Sequence, residues 1–148
     1  MPSIFSKIIR GESPAERLFE TEHELAFLDI FPKSPGHALV VPKCEVSSFE
    51  ELPPERAASL AQTAQILARG VTRAMGTPHY NLILNNGAAA GQVVFHVHLH
   101  IVPRYAGGSS GPATVHSQSP AEIGERIRQA LRELGPGRVG GGRIPERR

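Results

Sequence analysis

His96-Val97-His98-Leu99-His100-Ile101-Val102 decides how this chain is read. Three histidines alternate with apolar residues, and a period of two is that of a half-buried β-strand. On such a strand all three imidazoles project from one face, neighbours roughly 7 Å apart along the chain. Val97, Leu99 and Ile101 then point the other way, into a core. A face of three aligned imidazoles is costly to bury and is not needed for folding, so it is a candidate site. Two chemistries suit it. His-x-His can place two ligands on one metal ion, and an imidazole nitrogen can act as a covalent nucleophile.

The surroundings favour the second. Zinc and non-haem iron sites commonly add a carboxylate or a cysteine to a histidine pair, yet no Asp, Glu or Cys lies between Asn81 and Val102. What precedes the histidines is Asn85-Asn86-Gly87-Ala88-Ala89-Ala90-Gly91. Small residues of this kind let backbone N–H groups approach an anion closely. The combination points to nucleophilic catalysis on a phosphate ester.

Working outward, the spacing predicts a short helix carrying Ile4, Phe5, Ile8 and Ile9, capped by Ser3 and stopped by Gly11. Strands are expected over 17–21, 25–29, 37–42, 80–84 and 95–102. A long helix opens at Pro53-Pro54, sets Ala57, Leu60, Ala61, Ala64, Leu67, Ala68, Val71, Ala74 and Met75 on one buried face, and ends at Gly76. After a polar loop over 107–119, Ser119-Pro120-Ala121-Glu122 has the form of a capping box, opening a helix that runs to Leu134 and stops at Gly135-Pro136. Short strands interrupted by one long helix predict an α+β fold, with helices on one face of an antiparallel sheet.

The 148 residues, 40% of them hydrophobic, suit one domain with its own core. A lone cysteine, Cys44, forms no internal disulfide and fits a reducing compartment. The first residues have no apolar segment of the secretory kind, and no apolar run reaches bilayer length. A cytoplasmic protein with no membrane partner is expected. The formal charge is +2. Arg138, Arg143, Arg147 and Arg148 lie in a Gly-rich tail opposed only by Glu146. That tail, 136–148, reads as solvated and mobile rather than as a nucleic-acid surface.

The stretch His96–Val102 resembles the signature of the histidine triad (HIT) family, three histidines separated by apolar residues. Phe5-Ser6-Lys7-Ile8-Ile9-Arg10-Gly11-Glu12, Ala26-Phe27-Leu28-Asp29, Gly36-His37-Ala38-Leu39-Val40-Val41-Pro42-Lys43, Asn85-Asn86-Gly87 and Gly91-Gln92 are similar to further family blocks, in family order. The resemblance runs over about 3–105 and is strongest to the small bacterial HIT hydrolases. It implies a HIT domain over 1–135, with a five-stranded antiparallel sheet, a long central helix and a C-terminal helix over about 120–134. It also implies a homodimer formed through the long helix and a sheet edge.

The implied activity is cleavage at the α-phosphorus of nucleotide conjugates through a covalent nucleotidyl-histidine. Carried over residue by residue, His98 is the nucleophile and His96 holds its tautomer. His100 and His37 bind phosphate oxygens or the leaving group. Asn85 and the backbone of Gly91 and Gln92 complete a phosphate pocket. Asp29, eight positions before His37, accepts from the ribose hydroxyls or, read from the residue alone, is a turn residue. Phe5, Ile8, Phe27 and Ile30 stand at base-contacting positions and serve equally well as core. Expected substrates are AMP or GMP conjugates, such as purine nucleoside phosphoramidates and aminoacyl-adenylates, with no cofactor. The alternatives are a dinucleoside polyphosphate hydrolase, a nucleotide-binding regulatory module with little turnover, and a metal-dependent enzyme. His23, His79 and His116 match no site.

Two departures from the family stand out. Many bacterial relatives bind structural zinc through a Cys-x-x-Cys pair, a histidine after the third strand and the first triad histidine. Ser3, Ser6 and Glu45 occupy the first three of those positions here, so no structural zinc is expected. Val93 stands just after Gly91-Gln92, where the phosphoramidase branch often has a serine or threonine that assists the leaving group.

Overall fold

A computed structural model of the chain describes residues 2–108, 111 and 113–146. Met1, Arg147, Arg148 and part of the 107–119 loop lie outside the described residues. The elements follow in order: α1 (Ile4–Ile9), β1 (Arg17–Glu20), β2 (Glu24–Leu28), β3 (Ala38–Pro42), α2 (Pro54–Met75), β4 (His79–Ile83), β5 (Leu99–Arg104), α3 (Ala113–His116), α4 (Pro120–Leu134) and α5 (Pro136–Val139). The strands form one antiparallel sheet ordered β1-β2-β3-β5-β4.

Local chemistry sets the helix ends. The Ser3 hydroxyl accepts the Ser6 amide at 3.1 Å to start α1. Ser119 and Glu122 form the expected capping box at the start of α4.

The sheet buries both faces. Ala26, Leu28, Ala38, Val40 and Ile101 pack with α2 and α4 through Leu60, Leu67, Val71, Ile127 and Leu131. Leu25, Phe27, Leu39 and Val41 form a second cluster with Phe5 and Ile8 of α1. Strand side chains alternate, so α1 covers the opposite face from α2 and α4, where the sequence reading puts all helices on one. The short α1 is displaced to the other face because Phe5 and Ile8 match the odd-numbered residues of β2 and β3. β2 and β3 are consequently buried along their whole length.

A buried carboxylate ties β2 to α2. Glu24 accepts hydrogen bonds from the hydroxyls of Thr21 at 2.7 Å, Ser59 at 2.6 Å and Thr63 at 2.6 Å. Three donors offset the loss of water around a charge that has no cation beside it in this cluster.

The 136–148 tail, expected to be mobile, is placed through its described part. Residues 136–139 form α5. The amide of Arg143 donates to the Glu20 carbonyl at 2.7 Å, and the Glu20 amide donates back to Arg143 at 2.9 Å. Gly142 abuts the Phe19 ring. The Arg143 guanidinium lies 3.1 Å from the Glu20 carboxylate, which also pairs with Lys43 at 2.7 Å.

Candidate functional site

The site forms where β2, β3 and β5 present one row of side chains. Phe27 lies opposite Leu39, and Leu39 opposite His100. Opposed residues on neighbouring antiparallel strands share a face, so His100 stands on the α1 side of the sheet. The expected single strand over 95–102 is not what forms. β5 begins only at Leu99. His96 is drawn out of the ladder because its ring nitrogen Nε2 donates to the Pro42 carbonyl at 2.7 Å, and the Val97 amide donates to Val46 at 2.8 Å. The three imidazoles have different surroundings but stay on the α1 side, where the Phe5 ring meets His96 and His98, and His98 meets His100.

Their partners fix the tautomers. The Nδ1 of His98 contacts the His96 carbonyl at 2.7 Å. A carbonyl only accepts, so Nδ1 carries the proton and Nε2 keeps a free lone pair. The His96 group that meets His98 Nδ1 is its backbone carbonyl rather than its ring. The Lys33 amide donates to His37 Nδ1 at 3.0 Å, which puts the His37 proton on Nε2. That proton meets His100 Nδ1 at 2.9 Å, leaving His100 with its own proton on Nε2. Asp29 Oδ2 lies 3.4 Å from His37 Nε2. His98 and His100 stack edge to face with ring centroids 4.8 Å apart. A nucleophilic lone pair and an N–H donor are thus carried on adjacent rings.

Burial disfavours the charged form of all four rings. It lowers the pKa of His98, His96 and His37 below the ordinary histidine value. His100 is pushed down to about 4, by burial first and then by its neighbours His98 and His37.

Atoms of Asp29, His37 and His100 lie within 4.8 Å of one another, the spacing of a metal-ligand set. The hydrogen bonding does not suit a cation. A ligating histidine passes its other N–H to an acceptor, whereas His37 Nδ1 faces an amide that itself donates.

Asp29 is a turn residue in part, since its Oδ1 accepts the Phe31 amide at 2.9 Å. Gly36, with φ of +90°, sets the approach to His37. A side chain there would strain the backbone and meet Met75 at 2.7 Å.

The Gly-rich loop is arranged differently from the expectation. The amides of Gly91 and Gln92 both donate inside the loop, to Ala88 at 3.0 Å and Gly87 at 3.1 Å. As folded, neither is free for a phosphate. The buried Gln92 side chain fastens the loop by accepting from Gly87 at 2.7 Å and donating to Ser47 at 3.0 Å and Val94 at 3.1 Å. Gly91, with φ of +100°, lies against Asn85, whose amide a Cβ at Gly91 would approach to 3.6 Å. Among the described residues the Asn85 side chain makes no hydrogen bond, so it is a polar group of this loop left available to a ligand.

Of the apolar candidates, Phe5, Ile8 and Phe27 are core residues of the second cluster. Phe5 also sets its ring edgewise to His98, centroids 5.0 Å apart. Ile30 is 75% exposed. His116, which the sequence left without a role, lines a pocket of about 350 Å³ together with Asp29, Lys33, His37 and Gln118. Lys33 was missed as well, because a backbone N–H has no side-chain signature.

Ser3, Ser6, Glu45 and His96 do come together. Ser3 Oγ lies 2.9 Å from His96 Nδ1, and the Ser6 hydroxyl donates to Glu45 Oε1 at 2.6 Å. The Ser3 amide donates to the same carboxylate oxygen at 3.0 Å. These hydrogen bonds hold the Glu45 carboxyl below the usual carboxylate range. The set does not fit zinc. Two neutral hydroxyls replace thiolates, and their protons already occupy the lone pairs that His96 and Glu45 would offer a metal.

Comparison with known proteins agrees with this geometry. A family model described as the HIT domain matches residues 10–107. The chain is 46% identical over 101 residues to adenylylsulfatase HINT3 of Arabidopsis thaliana, covering 68% of this chain and 51% of that protein. It thus spans about half of that relative's length. It is 42% identical over 139 residues to adenosine 5'-monophosphoramidase hnt1 of Schizosaccharomyces pombe, covering 89% of this chain and 100% of that protein. Among solved structures, a Zn-bound histidine triad family protein from Mycobacterium smegmatis superposes with a TM-score of 0.80 at 37% identity, covering 88% of this chain and 94% of that one. A hypothetical histidine triad nucleotide-binding protein from Sulfolobus tokodaii strain7 gives 0.82 at 30% identity, covering 88% and 93%.

Proposed function

This chain belongs to the HIT domain family, and from that premise we propose that it cleaves AMP conjugates at the α-phosphorus through a covalent nucleotidyl-His98 intermediate. One observation carries the reading. The His98 Nδ1 lies 2.7 Å from the His96 carbonyl, which commits its proton there and leaves Nε2 as the nucleophile, and burial disfavours the charged ring.

In the first step the Nε2 lone pair attacks the α-phosphorus and the bond to the leaving group breaks. An amine leaves with the electron pair and takes a proton from solvent. In the second, water attacks the same phosphorus, the Nε2–P bond breaks, and AMP and a proton depart with His98 neutral again. The Nε2–H of His100, oriented by His37, donates to a phosphate oxygen as charge builds there. Asn85 is a second donor. Gly91 and Gln92 support it by holding the loop in shape. Asp29 Oδ2 accepts from the ribose hydroxyls. No hydroxyl at position 93 assists departure, since Val93 stands there.

The named activities of relatives, on adenylyl sulfate and on an AMP amide, share the AMP moiety and differ in what leaves. That supports an AMP-conjugate substrate class in preference to one fixed leaving group.

The acting form is a homodimer in the cytoplasm. β4 lies at a sheet edge with Tyr80 and Leu82 exposed. On α2, Ala58 and Ala61 are exposed, whereas Ala64 and Ala68 are already buried in the chain's own core. No helix among the described residues is long and apolar enough to cross a membrane.

His98→Ala should abolish turnover of an AMP-amine conjugate and retain AMP binding, because only the covalent step needs that nitrogen. Wild-type-like kcat in the purified variant would overturn the assignment. A panel of AMP-amine, AMP-acyl and dinucleoside polyphosphate substrates, ranked by kcat/KM, identifies the leaving group.

A further inference from the structure

We propose that Ser3, Ser6 and Glu45 are positioning residues, forming a metal-free clamp that fixes the His96 ring and, through the His96 carbonyl, keeps His98 ready to attack. The contacts that tie α1 to Glu45 and to His96 join residues 39 to 93 positions apart in sequence. Its kinetic arm rests on the function proposed above.

The shortest contacts in the cluster fit one arrangement of protons, with longer contacts of 3.4 Å from Ser6 Oγ to Ser3 Oγ and to His96 Nδ1 beside them. The Pro42 carbonyl at 2.7 Å requires a proton on His96 Nε2. His96 Nδ1 is then an acceptor, and Ser3 Oγ at 2.9 Å supplies its proton. Ser3 Oγ in turn accepts the Ser6 amide at 3.1 Å. The Ser6 hydroxyl and the Ser3 amide both donate to Glu45 Oε1, at 2.6 Å and 3.0 Å. Every donor is directed at an acceptor, and the ring they enclose is fully buried. A fully buried ring with both nitrogens engaged is held in one plane and one tautomer. The His96 carbonyl, which takes the His98 Nδ1 proton at 2.7 Å, belongs to the same residue. A shift of the ring therefore moves the atom that sets the His98 tautomer. Ser3 also caps α1, and α1 carries the Phe5 ring that stands against both His96 and His98.

Cap and donor roles can be separated at Ser3. Ser3→Asp keeps an oxygen for the Ser6 amide but, ionised, has no proton to give to His96. Ser3→Thr keeps both functions. Ser3→Ala loses both. Two readouts apply: ¹⁵N chemical shifts of the histidine rings in selectively labelled full-length protein, and kcat and KM for an AMP-amine conjugate with AMP binding measured alongside. In Ser3→Asp the His96 Nδ1 signal should move from the unprotonated to the protonated range. Its kcat should fall about tenfold or more, with KM and AMP affinity within about twofold of wild type. Ser3→Thr should restore both. Treatment with chelator should leave the His96 shifts of the wild-type protein unchanged.

Unaltered ring shifts and kcat in Ser3→Asp would overturn the clamp. So would a Ser3→Thr variant as impaired as Ser3→Asp, or a chelator-induced change at His96. The shifts are read without substrate. A wild-type protein that turns over no AMP conjugate therefore defeats the function reading, and the clamp is decided by the shifts.

Discussion

Acidification is the most direct test of how the site is wired. Burial and its neighbouring histidines push His100 down to about 4, and burial lowers His98 in the same direction. At pH 5.5 an ordinary imidazole with a pKa near 6.5 is about 90% protonated, whereas one at about 4 is only ~3% protonated. His100 thus contributes almost no loss at that pH, and any loss reads His98 together with His37 and His96, whose pKa values burial also lowers. A nucleophile with an unshifted pKa would lower kcat/KM about tenfold between pH 7.5 and 5.5. The lowered pKa of His98 predicts a smaller fall, with an acid limb centred below pH 6.5. The assay is the initial rate of AMP-amine hydrolysis from pH 4.5 to 8, corrected for uncatalysed hydrolysis, with circular dichroism in parallel. The parallel measurement matters because the same shifts affect stability. Their folded-state values lie below the unfolded one, so the stabilisation is complete above about pH 6.5 and is lost as pH falls toward about 4. A tenfold or greater loss at pH 5.5, in protein still folded, would refute the claim that burial lowers the pKa of these rings.

Other expectations concern the ribose, the metal and the scaffold. Removing both ribose hydroxyls from an AMP conjugate should lower kcat/KM roughly 10- to 100-fold, the worth of a hydrogen bond to a charged group. Replacing adenine by guanine should matter less. Asp29→Asn should weaken the ribose preference, and an unchanged preference would leave Asp29 as a turn residue only. Activity should survive exhaustive chelation, because His37 Nδ1 faces the donating Lys33 amide; loss on chelation with recovery on zinc addition would establish a metalloenzyme. Thr63→Val removes the 2.6 Å hydrogen bond to the buried Glu24 carboxylate and should destabilise by ~1.5–3 kcal/mol. In a domain of this size that is a fall in Tm of roughly 4–10 °C, and a change within 1 °C would show that Ser59 and Thr21 suffice.

Features written in short stretches of sequence were legible from it. Ser3 before an apolar pair, Pro54 and Gly76 around the long helix, and Ser119-Pro120 before α4 each act within a few residues, and each element forms where these signals place it. The alternation of Leu99, His100 and Ile101 correctly marked a strand. The same alternation extended over His96 misled, because the Pro42 carbonyl and Val46 draw that residue away from the ladder. Composition showed that the 85–91 loop could expose its amides, but not that Gly91 and Gln92 spend theirs on Ala88 and Gly87. The Lys33 amide acts on His37 four residues on, and Arg143 docks on the distant Glu20; both contacts use main-chain groups and are invisible to residue type. For Phe5 and Phe27 the apolar pattern was silent between core and base contact, and packing against Leu25 and Val41 shows the core part.

The bridge between Arg143 and Glu20 leaves the sheet with two unlike borders. At β1 the chain's own C-terminal segment occupies hydrogen-bonding positions that another strand would need. At β4 no further strand among the described residues lies alongside. An uncovered strand edge is a template for further strands, and a sheet with two such edges can grow without limit. With one border sealed, growth through the sheet stops after a single joining event, because the two joined copies present only sealed borders to the next. Shortening the tail to residue 139 would reopen β1, and the expected consequence is concentration-dependent growth past two copies.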